Sequence, residues 1–311
     1  MLTITRLNNF GRDHPGAVVA LGVFDGLHRG HQALIKRLIN RAHAEVHQSV
    51  VLTFEPHPQK VLRRTSQPFI LTTGPEKKLL LSRMEVDVMA VIRFSRDVAA
   101  MAPEQFVKKI LVQKLGAARV ICGRDYGFGA GRKGDLGLLK HLGLKYGFKV
   151  EGVNACQSRQ KKIGSTMIRQ QIQKGSFNQG IKLLGHPYLL NGLVVKGRGQ
   201  GRKLGYPTAN LKVCDKLKLI PGDGVYAARA LADQKAYDGM LYVGSRPTFG
   251  GQGVRAIEFN AFDNPGDLYG RELTLEVHKF IRPDKKFGSL EQLKQAIAGD
   301  QKKIKKYPFG R

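Results

Sequence analysis

Short, nearly unbroken apolar runs alternate with stretches of helical period through the first 185 residues. Runs at 17–23, 49–54, 86–94, 118–122 and 148–153 read as buried strands. Between them, 31–43, 75–84, 103–115 and 136–146 carry apolar residues at helical spacing. That alternation predicts a parallel, doubly wound α/β sheet with ligands at the carboxyl ends of its strands. Two short helices, 165–174 and 177–184, close this half. Beyond Gly185 the rhythm changes. Strand-like runs at 189–196, 225–231, 236–243, 254–261 and 272–280 are separated by Gly, Pro and Asp turns, and one helical stretch, 290–306, ends the chain. This pattern predicts a small antiparallel β-barrel with a terminal helix. The expected domains are 1–185 and 186–311, and a length of 311 residues suits two.

Composition narrows the class. No apolar run approaches the roughly 20 residues that span a bilayer, and the first residues lack a signal-peptide pattern, so a cytoplasmic protein is expected. Three cysteines, Cys122, Cys156 and Cys214, without a C-x-x-C pair, disfavour a disulfide scaffold or a Cys-rich zinc site. The charge is unusual: 52 basic against 24 acidic residues, net +28, with +18 in residues 1–185 and +10 in 186–311. A field spread over both halves attracts polyanions and speeds capture of phosphorylated small molecules. No helix-turn-helix or RNA-binding signature accompanies it, so sequence-specific nucleic-acid binding is disfavoured.

The strongest chemical signal follows the first long strand: Gly22-Val23-Phe24-Asp25-Gly26-Leu27-His28-Arg29-Gly30-His31. A Gly-rich strand-to-helix turn brings backbone N–H groups and a helix N-terminus to phosphate. Two histidines flanking Gly30 can donate hydrogen bonds as charge builds in phosphoryl transfer, chemistry that needs positioning more than a nucleophilic side chain. His-x-x-His alone reads equally as a plain loop or half a metal site. The preceding strand and the glycines favour the phosphate reading.

With these residues the chain resembles the HxGH nucleotidyltransferases, and among them the bacterial bifunctional riboflavin kinase/FAD synthetases. Thr53-Phe54-Glu55-Pro56-His57-Pro58, Gly123-Arg124-Asp125-Tyr126-Gly127-Phe128-Gly129 and Gly164-Ser165-Thr166-Met167-Ile168-Arg169 match further motifs in order. The resemblance implies a Rossmann-like first domain in which His28, His31 and Arg169 are catalytic. It implies that Gly22, Phe24, Asp25, Gly30, His57, Asp125, Ser165 and Thr166 bind nucleotide, and that Phe54, Pro56, Tyr126 and Phe128 bind flavin. Read singly, the prolines are a rigid turn, Asp125 a cap and Arg169 a surface residue. Gly164 departs from the usual serine, which removes a hydroxyl and keeps a backbone N–H.

In the second half, Gly201-Arg202-Lys203-Leu204-Gly205-Tyr206-Pro207-Thr208-Ala209-Asn210 resembles the same family's riboflavin kinase domain. The resemblance implies Thr208 and Asn210 as hard-oxygen ligands for Mg²⁺, Gly201 and Lys203 as nucleotide contacts, Arg246 as a flavin contact and Glu258 as catalytic base. Bare physics reads Pro-Thr-Ala-Asn as a strand-end turn and Glu258 as an exposed strand carboxylate. Three positions depart from the family: Tyr242 for Asn, Asn260 for His and Asp284 for Glu. The implied activity is phosphorylation of riboflavin to FMN, then adenylylation of FMN to FAD, both with ATP and a divalent cation. Competing readings are a chain retaining one activity, and a basic flavin- or nucleic-acid-binding regulator. Oligomeric state stays open.

Overall fold

The computed structural model describes residues 1–7, 10–63, 67–158, 161–173, 175–197, 201, 205–232, 235–245 and 255–310. The chain divides into two compact units. One comprises Met1–Gln67 and Lys77–Gly164, the other Pro68–Glu76 and Ser165–Arg311.

The first unit holds a six-stranded parallel sheet. Its strands are β1 (Leu2–Ile4), β2 (Ala17–Leu21), β3 (Ser49–Glu55), β4 (Val88–Arg93), β5 (Ala117–Gly123) and β6 (Lys149–Val153), in the order β1-β4-β3-β2-β5-β6. β2 is buried along its whole length and β3 along all but its last residue, as expected of strands covered on both faces. The order reverses between β2 and β5, so their carboxyl ends form the switch point where open α/β sheets bind ligands. Leu34, Ile35, Leu38 and Ala42 line the inward stripe of α2 (Arg29–Ala44). Asp135 caps α7 (Leu136–Tyr146) by accepting from the Leu138 N–H at 2.8 Å, and Gly147, at φ 78°, ends it in the left-handed conformation. The helix expected over 103–115 starts as an α-helix at Pro103–Phe106 and widens into a π-helix at Val107–Lys114.

In the second unit β9 (Tyr188–Val195), β10 (Ala209–Val213), β11 (Gly224–Ala232), β12 (Lys235–Ser245), β13 (Arg255–Ala261) and β14 (Glu272–Pro283) close an antiparallel barrel in the order β10-β13-β12-β11-β14-β9. Closure leaves no unpaired edge. The C-terminal helix α10 (Leu290–Lys305) is capped by Ser289 and places Ile304 against Val225, Ala227, Met240 and Phe309 outside the barrel. That covering explains why β11 is buried on both faces. Helices α8 (Ser165–Gln173) and α9 (Phe177–Leu184) also belong to this unit, anchored by Phe177, whose ring meets Tyr226 at 5.0 Å. Among the described residues no helix is long and apolar enough to cross a membrane.

Candidate functional sites

The loop after β2 is held in an uncommon backbone. Phe24 (φ 53°), Gly26 (φ 84°) and Leu27 (φ 39°) are all left-handed, a strain that packing must enforce and that concentrates at functional sites. Phe24 and Leu27 are buried, and a Cβ at Gly22 would meet the Phe24 ring at 2.9 Å, so glycine is needed there. The loop delivers the chain into α2 with His28 as its N-cap. The His28 Nδ1 accepts from the His31 N–H at 3.4 Å. That bond assigns the ring proton of neutral His28 to Nε2, leaving it as a donor. The two rings stack 3.7 Å apart at 17°, and the Phe24 ring meets His31 edge-on at 5.3 Å. Burial, then the neighbouring His28 and Lys77, push the His31 pKa well below that of free histidine. His31 is therefore a neutral imidazole at pH 7, beside the positive end of a helix.

Lys77 is the residue that sequence reasoning missed. In a Glu-Lys-Lys run it reads as solvated, but Leu80 and Leu81, three and four residues on, mark the buried face of its helix. Its ammonium lies 3.0 Å from Thr53 Oγ1 and 3.4 Å from Glu55 Oε1. Thr53 Oγ1 in turn donates to the Val23 carbonyl at 3.0 Å. Burial lowers the Lys77 pKa, opposed by the charges of Glu55 and Asp25, the latter buried in the same loop.

Phe54 and Phe128, both expected at flavin, are buried in an aromatic cluster with Phe106, at 6.4 and 6.0 Å respectively. Tyr126 is partly exposed beside them, its hydroxyl pKa raised by burial. Pro56 follows a cis peptide bond, and His57 accepts from the Gln59 N–H at 3.1 Å. Asp125 is exposed, and its carbonyl accepts from Arg132 at 3.5 Å. Gly30 sits beside the His28 ring, where a Cβ would come within 3.2 Å. Ser165, Thr166 and Arg169 lie on α8 in the other unit, where Arg169 Nε donates to the Phe69 carbonyl at 2.6 Å.

On the barrel, strand register builds the second site. Glu258 pairs with Asn210 on one side and Tyr242 on the other. Residues directly opposite each other in a sheet share a face, so these three side chains form a row across β10, β13 and β12. Thr208 Oγ1 donates to Glu258 Oε2 at 3.2 Å. Beside this row opens a cavity of about 1050 Å³, whose lining includes Tyr206, Thr208, Asn260, Asp267 and, from α10, Lys294. Thr208, Asn210 and Glu258 offer only oxygen ligands, a donor set that suits Mg²⁺. Among the described residues no group of three His, Cys, Asp or Glu could hold a metal ion. Gly201 is a close-packed position, where a Cβ would collide with the Tyr206 carbonyl. Lys203 and Arg246 lie outside the described residues.

A switch-point loop with a His-x-Gly-His helix start, joined to a closed barrel, defines the class of nucleotidyltransferase domain coupled to a kinase barrel. Comparisons with known proteins agree. The FAD synthetase family model matches residues 11–167 and the riboflavin kinase model 184–308. A Pseudomonas fluorescens bifunctional riboflavin kinase/FMN adenylyltransferase is 34% identical, with 96% of each chain covered. Its Escherichia coli K12 counterpart is 36% identical over 92% of this chain and 91% of the other. A solved Streptococcus pneumoniae structure, described as a macrolide-efflux protein, is 31% identical with TM-score 0.84, covering 99% of this chain and 100% of that one. The chain belongs to the bifunctional riboflavin kinase/FMN adenylyltransferase family.

Proposed function

We propose that this protein phosphorylates riboflavin in residues 186–311 and adenylylates the resulting FMN in residues 1–185, as a cytoplasmic enzyme. The observation that carries the kinase reading is the Thr208–Glu258 hydrogen bond, with Asn210 beside it in register. Glu258 takes the proton of the riboflavin 5′-hydroxyl as that oxygen bonds to the γ-phosphorus of ATP and the bond to the β-phosphate oxygen breaks, releasing ADP. Thr208 and Asn210 would hold Mg²⁺, which when bound neutralises phosphate charge. Gly201 and Lys203 contact the nucleotide, and Arg246 the flavin.

For adenylylation, an FMN phosphate oxygen attacks the α-phosphorus of ATP and pyrophosphate leaves. His28 Nε2–H, neutral His31 and the first N–H groups of α2 donate to the phosphate oxygens as charge accumulates. Gly22, Phe24, Asp25, Gly30, His57 and Asp125 shape the nucleotide site, and the resemblance gives Ser165, Thr166 and Arg169 a phosphate-binding role. The flavin is met by Phe54, Pro56, Tyr126 and Phe128. Because Phe54 and Phe128 are core residues, they act by shaping the wall that Tyr126 exposes.

Paired substitutions test the assignment. His31→Ala lowers FMN adenylylation about 100-fold, as expected for a lost transition-state donor, and leaves riboflavin phosphorylation at the wild-type level. Glu258→Gln does the reverse, with nucleotide affinity preserved. Loss of both activities in either folded variant refutes the two-site assignment.

A further inference from the structure

Asn260 stands two residues after Glu258 on β13, so both side chains leave the same face of the barrel. Each grips one of two consecutive residues. Glu258 Oε2 accepts from Thr208, and Asn260 Nδ2 donates to the Pro207 carbonyl at 2.8 Å. The Pro207 carbonyl belongs to the peptide that leads into Thr208, so the Asn260 bond holds the backbone from which the Thr208 side chain projects. Asn260 is only 5% exposed, and its Oδ1 is buried with no hydrogen-bond partner among the described residues. A buried acceptor left unpaired costs stability and calls for a reason. Here the amide must turn its donor, and not its acceptor, toward a carbonyl that can only accept. The orientation of Asn260 therefore follows from its grip on Pro207.

We propose that Asn260 is a positioning residue for the kinase, acting through Pro207 to aim Thr208 at the metal–phosphate site. This rests on the kinase reading above and extends it to a residue that touches neither metal nor substrate in that scheme. A histidine ring N–H at this position can donate to the same carbonyl, so histidine offers the one donor the turn requires.

The test compares the full-length wild type with Asn260→Asp, which is isosteric and as the carboxylate has no donor, and Asn260→His, which restores one. Two quantities are read: the Mg²⁺ concentration for half-maximal riboflavin phosphorylation, and the gain in ADP affinity on adding Mg²⁺, by calorimetry. Asn260→Asp should raise the Mg²⁺ requirement about 10-fold or more and lose a comparable share of the Mg²⁺-dependent ADP affinity, as disturbed support around a metal site does. Asn260→His should keep both near wild type. A folded Asn260→Asp with unchanged Mg²⁺ dependence and ADP affinity overturns the proposal. If Asn260→Asp unfolds, Asn260→His decides: retention of both properties supports the role, and their loss in a folded protein overturns it. A wild-type protein that forms no FMN would instead defeat the kinase reading itself.

Discussion

The Tyr242 hydroxyl donates to Asp284 Oδ2 at 3.1 Å, joining two positions at which the sequence reads as departing from the family it resembles. The same tyrosine lies over Gly244, where a Cβ would collide with its hydroxyl, and opposite Glu258 in the sheet. The two residues thus form one interaction at the Tyr242 end of the kinase row. Burial first, then the Asp284 charge, pushes the Tyr242 pKa up to about 12. Replacing Asp284 by Asn should lower that pKa without returning it to the free value, because burial remains. Tyrosinate absorbance in alkaline titration, compared with Tyr242→Phe to identify the residue, checks this. A Tyr242→Phe/Asp284→Asn cycle should show a coupling of about 0.5–1 kcal/mol in denaturant unfolding, since the pair is partly solvated.

Burial, His28 and then Lys77 depress the His31 pKa, which gives a measurable pH dependence. His31 has a folded-state pKa below that of the unfolded chain, so between the two values the unfolded chain binds more protons. Its contribution to stability is complete above about pH 6.5 and falls as pH drops below it. Lys77→Met removes one of the three causes of the depression, so the His31 pKa should rise. Neutral His31 is the working form, so the acid limb of FMN adenylylation should move to higher pH while that of riboflavin phosphorylation stays. The pH–rate profiles of both reactions check this, and an unmoved adenylylation limb contradicts it.

Stability of the barrel unit should depend strongly on a buried ion pair. Lys218 Nζ lies 2.6 Å from Glu76 Oε2, with both side chains fully buried, and also donates to the Leu71 carbonyl at 2.6 Å. Glu76 accepts in addition from the Thr73 and Asn191 N–H groups at 2.8 and 2.9 Å, which ties the segment Pro68–Glu76 to β9. Glu76→Gln leaves the Lys218 charge buried without its counterion, and should cost about 3–5 kcal/mol in urea unfolding. Lys218→Met with Glu76→Gln should recover part of that loss, because neither charge is then left alone.

Much of the first sheet was legible because strands buried on both faces leave apolar runs that nothing interrupts, as in β2 and β3. The His-x-Gly-His turn was legible because glycine spacing and residue type speak together. β10 was not: it follows Pro207, has five residues, and only Leu211 is buried, so it carries no periodic signal. Lys77 was hidden because charge dominates a local reading, whereas its burial depends on β3 and the β2 loop. The helices α8 and α9 were foreseen, but their place with the barrel rests on long-range packing of Phe177 against Tyr188 and Tyr226, which no local pattern reports. The Tyr242–Asp284 and Asn260–Pro207 pairs likewise join residues 42 and 53 positions apart, beyond the reach of sequence spacing.

The most direct measurement incubates purified wild-type protein with riboflavin, ATP and Mg²⁺, and separates the flavins by chromatography over time. FMN should appear first and FAD after it, one ADP accompanying each FMN formed and one pyrophosphate each FAD. Chelating the metal should stop both. FMN that accumulates without FAD, or FMN that is adenylylated while riboflavin stays untouched, contradicts the account of two activities in one chain.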